Sequence, residues 1–155
     1  MRLSILYESG LLDGDANPVL EELCREARER FQVSTALVTL LEEDVQTFRA
    51  SCGSQSQSTP RDVAFCNHTI LTDDLFIVQD AQTHPTFQSN PMVIGPPFIR
   101  FYAGAPLIYM ENIRLGAFCV MDGSPGDLDA DDREELRELS DRAVSELVRM
   151  IMNVA

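Results

Sequence analysis

Lysine is missing from this chain of 155 residues, and all 12 basic residues are arginines. That one absence removes Schiff-base chemistry, the P-loop lysine and the kinase lysine together. Basic charge is scarce altogether: 25 acidic residues leave a formal net charge of −13. This argues against a nucleic-acid partner, because neutralising phosphates takes clustered cations. No stretch approaches the roughly 18 unbroken apolar residues of a membrane span, so no membrane partner is expected. The opening MRLSILYESGLL is broken by Glu8 and lacks a small-residue cleavage site. No signal peptide is therefore expected, and the expected location is cytoplasmic. Cys24, Cys52, Cys66 and Cys119 show no CxxC spacing, which favours reduced thiols over a disulfide frame.

What is present is ordinary globular material, 45% hydrophobic and 24% charged, in a length that suits one domain over 1–155. Leu3, Leu6 and Tyr7 make a short helical stripe within Arg2–Leu12. Asn17-Pro18 supplies an N-cap and a first-turn proline, and the apolar spacing predicts a helix to about Phe31. The N-terminal helices thus occupy 1–31. Sheet and pocket are expected over 34–122. Ala36–Leu41 and Val45–Cys52 read as paired strands around the turn Glu42-Glu43-Asp44. Ser51–Pro60 reads as a polar loop, Val63–Leu71 as a short helix and Leu75–Gln79 as a short strand.

Four prolines interrupt His84–Pro97, which predicts an irregular segment. It still holds Phe87, Met92, Val93 and Ile94, the mark of a functional lid or binding loop. Ile99–Tyr109 and Ile113–Met121 flank the polar break Met110-Glu111-Asn112 and predict a β-hairpin. Gly104 and Gly116 within those strands point to a bulge or a close backbone approach. Asp129 then caps a last helix over 128–153, with Asp132 at its third position. The apolar stripe of that helix is wider than one sheet face needs, which leaves room for a second subunit.

Candidate chemistry is sparse. Cys66 and His68 are two apart, so on a regular helix they point about 200° away from each other and do not chelate one metal. Adding Asp80 and His84 makes a four-ligand set whose spacing matches no zinc signature, and no metal is expected. Cys66 with His68 is also a possible nucleophile and base, although the apolar surroundings do not announce a depressed thiol pKa. The plain alternative is a buried thiol beside a hydrogen-bonded histidine. Arg100 and Tyr102 share a strand face, with Phe101 on the other, and a guanidinium with a phenol suits a carboxylate or phosphate. Alternatively, Arg100 pins the loop by pairing with Asp80 or Asp62. Asp80 itself reads as a turn cap, and Cys119 as core.

Four blocks are similar, in order, to a known family: TPRDVAFCNHTI (Thr59–Ile70), IVQDAQTHPTFQSNPMV (Ile77–Val93), GPPFIRFYAGAPL (Gly95–Leu107) and RLGAFCVMD (Arg114–Asp122). With the order of elements, they resemble the GAF domain, in a bacterial subgroup found with histidine kinases and diguanylate cyclases. The resemblance implies an α+β, GAF/PAS-like fold. Its central six-stranded antiparallel sheet carries the N- and C-terminal helices on one face and a loop-covered pocket on the other. It further implies a homodimer through the terminal helices and an output partner of the histidine kinase or diguanylate cyclase type.

The function so implied is non-catalytic sensing of an unidentified small molecule, as part of bacterial signal transduction. Cys66, His68, Asp80, Phe87, Arg100 and Tyr102 are its expected ligand contacts. Two alternatives stand beside it: a thiol-based redox sensor or methionine-sulfoxide-reductase-like enzyme using Cys66, and a ligandless dimerisation module. The reductase branch of the family places its cysteine just ahead of the strand corresponding to Phe98–Leu107. Here Pro97-Phe98-Ile99-Arg100 stands there. Covalent bilin is not expected, because Asn67 separates Cys66 from His68 and no Asp-Ile-Pro motif is present.

Overall fold

The computed structural model describes residues 2–12, 16–54, 58–110 and 112–154. Helices α1 (Arg2–Glu8) and α2 (Pro18–Phe31) come first, then strands β1 (Thr35–Leu41), β2 (Val45–Cys52) and β3 (Ser58–Pro60). A 3-10 turn at Arg61–Val63 leads to α3 (Cys66–Thr69), β4 (Phe76–Val78) and α4 (Pro91–Ile94). Strands β5 (Phe101–Met110) and β6 (Ile113–Asp122) precede the long α5 (Ala130–Val154). The strands form one antiparallel six-stranded sheet in the order β3-β2-β1-β6-β5-β4.

Local chemistry accounts for the firm boundaries. Asn17 caps α2, its Oδ1 accepting from Leu20 N at 3.0 Å, and Asp129 caps α5 by accepting from Asp132 N at 2.8 Å. Each cap satisfies a donor that has no partner in the first turn. Gly116 is a close approach: a Cβ there would stand 1.8 Å from Thr39 O on the neighbouring strand. The glycine is what lets β1 and β6 pair through this point, Leu40 opposite Gly116.

Period-2 alternation divides the sheet between two cores. Ala36, Val38 and Leu40 of β1, with Phe101, Ala103, Phe118 and Val120, pack against Leu6, Leu20, Leu23, Leu136, Leu139 and Leu147 of the helices. Leu37, Leu41, Tyr102, Ala117 and Cys119 face the opposite way, toward Phe65, Cys66, Phe87, Val93 and Ile99. So the helices α1, α2 and α5 cover one face. The segment between β3 and β5 covers the other.

Four expectations change in detail. Ser58–Pro60 is an edge strand rather than loop, Gln46 lying opposite Thr59. An edge tolerates proline because one side of the strand has no ladder to donate to. Val63–Leu71 is not one helix: Ala64 is extended (φ −79°, ψ 129°) and separates the 3-10 turn from α3. The proline-rich segment contains α4, because Asn90 caps it by accepting from Met92 N at 2.8 Å and Pro91 occupies its first turn. Finally, α1 stops at Glu8, short of Leu12. Glu111, within the predicted hairpin break, lies outside the described residues.

A bulge shapes the site. Val38 pairs with Ala50 but Thr39 pairs with Phe48, so Arg49 is the extra residue. Strict alternation would put Gln46, Phe48 and Ala50 on one face. The extra residue turns Ala50 to the helix core and leaves Phe48 packed on the other one.

Candidate functional site

Under the proline-rich segment lies a cavity of about 460 Å³. Its walls are the outer face of β1, β2 and β3 (Leu37, Gln46, Phe48, Thr59), the 61–66 turn and the stretch around Met92, Pro96, Pro97 and Ile99. Tyr102 and Met121 complete the sheet side. Floor residues Leu37, Ala64, Phe65, Cys66, Ile99 and Tyr102 are buried, whereas Gly53, Pro60, Pro96 and Pro97 at the rim are exposed. The volume falls within the range of small-molecule sites.

Among the described residues, no Asp, Glu, Arg or His lines the cavity. Its polar side chains are those of Gln46, Ser54, Thr35, Thr59, Tyr102 and the thiol of Cys66. Gln46, 4% exposed, donates from Nε2 to Thr59 Oγ1 at 2.9 Å. Its Oε1 is buried with no hydrogen-bond partner among the described residues. Buried acceptors are nearly always paired, and one left alone costs about 1–3 kcal/mol. A donor on a guest molecule would remove that cost.

Tyr102 anchors the floor. Its hydroxyl lies 2.8 Å from Thr69 Oγ1 and 3.0 Å from Cys66 Sγ, and its ring tilts against Phe65 with centroids 5.2 Å apart. Gly104, two residues on, is the space that hydroxyl needs: a Cβ there would stand 2.4 Å from it. Burial, with Cys66 and Cys119 nearby, pushes the phenol well above its ordinary pKa, so it stays a neutral donor. Cys66 Sγ is also 3.7 Å from Cys119 Sγ. Burial opposes ionisation of Cys66, yet hydrogen bonds from Cys119, Thr39 and Tyr102 bring its thiol below the ordinary value.

The remaining candidate residues stand beside the cavity. His68 and Phe87 belong to an aromatic cluster: Phe87 stacks on Phe65 at 4.1 Å, and His68 meets it edge-on at 4.9 Å. Burial and the neighbouring His84 lower the His68 pKa. Asp80 caps the turn after β4, accepting from Gln82 N at 3.1 Å. Arg100 folds back on the backbone and donates to Val93 O at 2.9 Å and Ile99 O at 3.1 Å. It pins the loop through carbonyls rather than through Asp80 or Asp62. Among the described residues, no group of three or more His, Cys, Asp or Glu stands together to hold a metal ion. Cys66, His68, Asp80 and His84 are not brought into one such group.

Leu37, Gln46, Phe48 and Thr59 were not among the expected contacts. The face each of them takes follows from strand pairing and the bulge at Arg49, which no local pattern in the sequence announces. At the far end of β6, Met121 O accepts from Ser34 Oγ at 3.2 Å. Next to it, the two carboxylate oxygens of Asp122 accept from Ser34 N at 2.8 Å and Ser124 N at 3.0 Å. Asp122 O accepts from Arg100 N at 3.0 Å.

Comparisons with known proteins agree with this architecture. The chain is 44% identical over 124 residues to the cyclic di-GMP phosphodiesterase PA2567 of Pseudomonas aeruginosa, a match covering 80% of the chain. The match spans about a fifth of that protein's length, 21%. Among solved structures, residues 122 to 287 of a methyl-accepting chemotaxis protein superimpose with a TM-score of 0.71 at 15% identity, covering 100% of this chain and 99% of that one. The GAF domain of an Acinetobacter phosphoenolpyruvate-protein phosphotransferase gives 0.70 at 16% identity, covering 99% and 93%. At such identities the likeness concerns the fold alone. The family model of the GAF domain matches residues 15–147, and the chain belongs to that family.

Proposed function

We propose that this chain is a regulatory module of bacterial signalling that binds a small, uncharged molecule in the cavity beneath the proline-rich segment. One observation carries the reading: among the described residues, a cavity of about 460 Å³ has no Asp, Glu, Arg or His in its lining and Gln46 Oε1 has no hydrogen-bond partner. Apolar walls suit a flat or branched apolar body, and Gln46 Oε1 asks that body for one N–H or O–H donor. A phosphate or carboxylate would be buried there without a cation from the described wall residues to offset the cost.

Binding would favour one closure of the segment over the sheet, and the sheet would repack α1, α2 and α5 on its other side. Exposed Tyr7 and Met152 on the terminal helices suit pairing of two copies. The phosphodiesterase relative favours an output that acts on cyclic di-GMP, in place of a histidine kinase or diguanylate cyclase, and a cytoplasmic setting fits such a role. No helix among the described residues is long and apolar enough to cross a membrane. A ligandless dimerisation module is the weaker reading, because it needs the cavity filled.

Thermal melts with paired compounds test the proposal: small primary amides or alcohols against the carboxylates of the same skeleton. Neutral members should raise the melting temperature, and Gln46→Leu should cancel most of that gain. Stabilisation by carboxylates alone would refute the uncharged-ligand reading.

A further inference from the structure

Cys66 and Cys119 are brought together by tertiary structure alone, one on α3 and the other on β6, with sulfurs 3.7 Å apart. We propose that this pair is a peroxide-responsive dithiol: hydrogen peroxide entering the ligand cavity oxidises Cys66, and Cys119 closes a reversible disulfide with it. The proposal requires no bound ligand.

The geometry assigns the two roles. Cys66 lines the cavity and is only 2% exposed, so the cavity is the route by which an oxidant the size of water would approach it. Cys119 is 0% exposed and stands behind Cys66, where it meets a second sulfur and not solvent. Tyr102 Oη at 3.0 Å from Cys66 Sγ is a neutral donor placed to stabilise a thiolate. The two thiols also differ in acidity in the required sense. Cys66 lies below the ordinary value, whereas its hydrogen bond to Cys66 and burial hold Cys119 well above. The other two cysteines lack this arrangement. Cys24 sits in the helix core, where burial and the nearby Glu21 push its thiol up to about 12. Cys52 is half-buried at the sheet edge, 3.7 Å from Arg28 Nη1.

The chemistry balances in two steps. The Cys66 thiolate attacks one peroxide oxygen, the O–O bond breaks, and hydroxide leaves to take up the proton the thiol had released. The sulfur now carries OH. Cys119 sulfur attacks that sulfenic sulfur, the S–O bond breaks, and the departing hydroxide leaves as water with the Cys119 proton. Two thiols and one hydrogen peroxide give one disulfide and two waters, two electrons passing from sulfur to oxygen. A dithiol reductant such as dithiothreitol returns the electrons. Closing from 3.7 Å to the roughly 2.05 Å of an S–S bond pulls α3 toward β6 and takes the Cys66 sulfur away from Tyr102. The floor of the cavity therefore differs between the two redox states.

The full chain, reduced and then exposed to hydrogen peroxide, is unfolded, alkylated with iodoacetamide and digested for mass spectrometry. The expected result is a 2 Da loss and a linked peptide pair containing Cys66 and Cys119, reversed by dithiothreitol. Alkylation of those two residues should fall at least tenfold while Cys24 stays fully alkylated. In Cys119→Ser, Cys66 should be trapped as a dimedone adduct; in Cys52→Ala, the linked pair should still form. Four alkylated thiols after treatment, a link through Cys52, or wild-type Cys66 oxidised to the sulfinic acid with Cys119 free would each overturn the proposal.

Discussion

Alanine at position 104 probes the support of the cavity floor most directly. Its methyl would stand 2.4 Å from the Tyr102 hydroxyl, 2.9 Å from Cζ and 2.9 Å from Thr69 Oγ1, so the phenol tip must retreat by about 1 Å to restore ordinary contact. Retreat stretches the bonds at 2.8 Å and 3.0 Å to Thr69 and Cys66 and drives the ring toward Phe65. Overpacking of this kind costs about 1–3 kcal/mol, and a weakened buried hydroxyl pair adds about 1 kcal/mol. The lower chain entropy of alanine offsets about 0.5 kcal/mol, because Gly104 is in a strand with no need for a left-handed backbone. The net expectation for Gly104→Ala is a loss of about 2–3 kcal/mol.

Tyr102→Phe removes the nearest colliding atom along with its hydrogen bonds, and alone should cost about 1–2 kcal/mol. If the collision runs through that oxygen, the double variant must lose less than the sum, by about 1 kcal/mol. Relief is partial because the ring edge and Thr69 Oγ1 remain at 2.9 Å. Urea melts of the four proteins measure the cycle. Additivity to within about 0.4 kcal/mol would refute the assignment of Gly104 as the space for the phenol.

Arg100→Ala should lower stability by about 1–2 kcal/mol in urea melts, because two backbone carbonyls, Val93 O and Ile99 O, lose their donor. An unchanged midpoint would show that the guanidinium does not pin the loop. The depressed His68 pKa means that the folded state favours the neutral ring. Its contribution to stability is therefore present above the unfolded value of about 6.5 and lost as pH falls through 6.5 toward the folded value. Chemical melts between pH 7.5 and 5.5 should show a fall that His68→Gln abolishes, and an identical slope in the variant would contradict this.

Elements whose signals are local were legible in the amino acids. Asn17-Pro18 and Asp129 announced α2 and α5 through caps, and Gly116 announced a close backbone approach. The long hairpin followed from two apolar runs. What escaped depends on partners distant in sequence. Ser58–Pro60 is polar and short, and becomes a strand only because β2 offers it a ladder. The bulge at Arg49 leaves no mark in composition, yet it decides which face Ala50 takes. Cys, His, Asp and Arg, the residue types rich in chemistry, make up most of the contacts expected from the sequence. Of those, Cys66 lines the cavity, as does Tyr102, while most of the wall is made by strand residues such as Leu37, Gln46 and Phe48. That wall is set by the sheet face, and the face follows from pairing and bulge together. Arg100 lies outside the lining because its guanidinium turns back to neighbouring carbonyls, a choice between backbone and ligand that spacing alone does not encode.

Asp122 has a further meaning for how such a module can be wired. One carboxylate and its own carbonyl hold the chain as it leaves α2, as it enters β5 and as it departs toward α5. Met121, its neighbour, lines the cavity on the sheet side. A guest pressing on that methionine would thus tug upstream and downstream connections at once. A reporter fused before the first helix or behind the last would be expected to register the same event, which frees evolution to append its effector on either side.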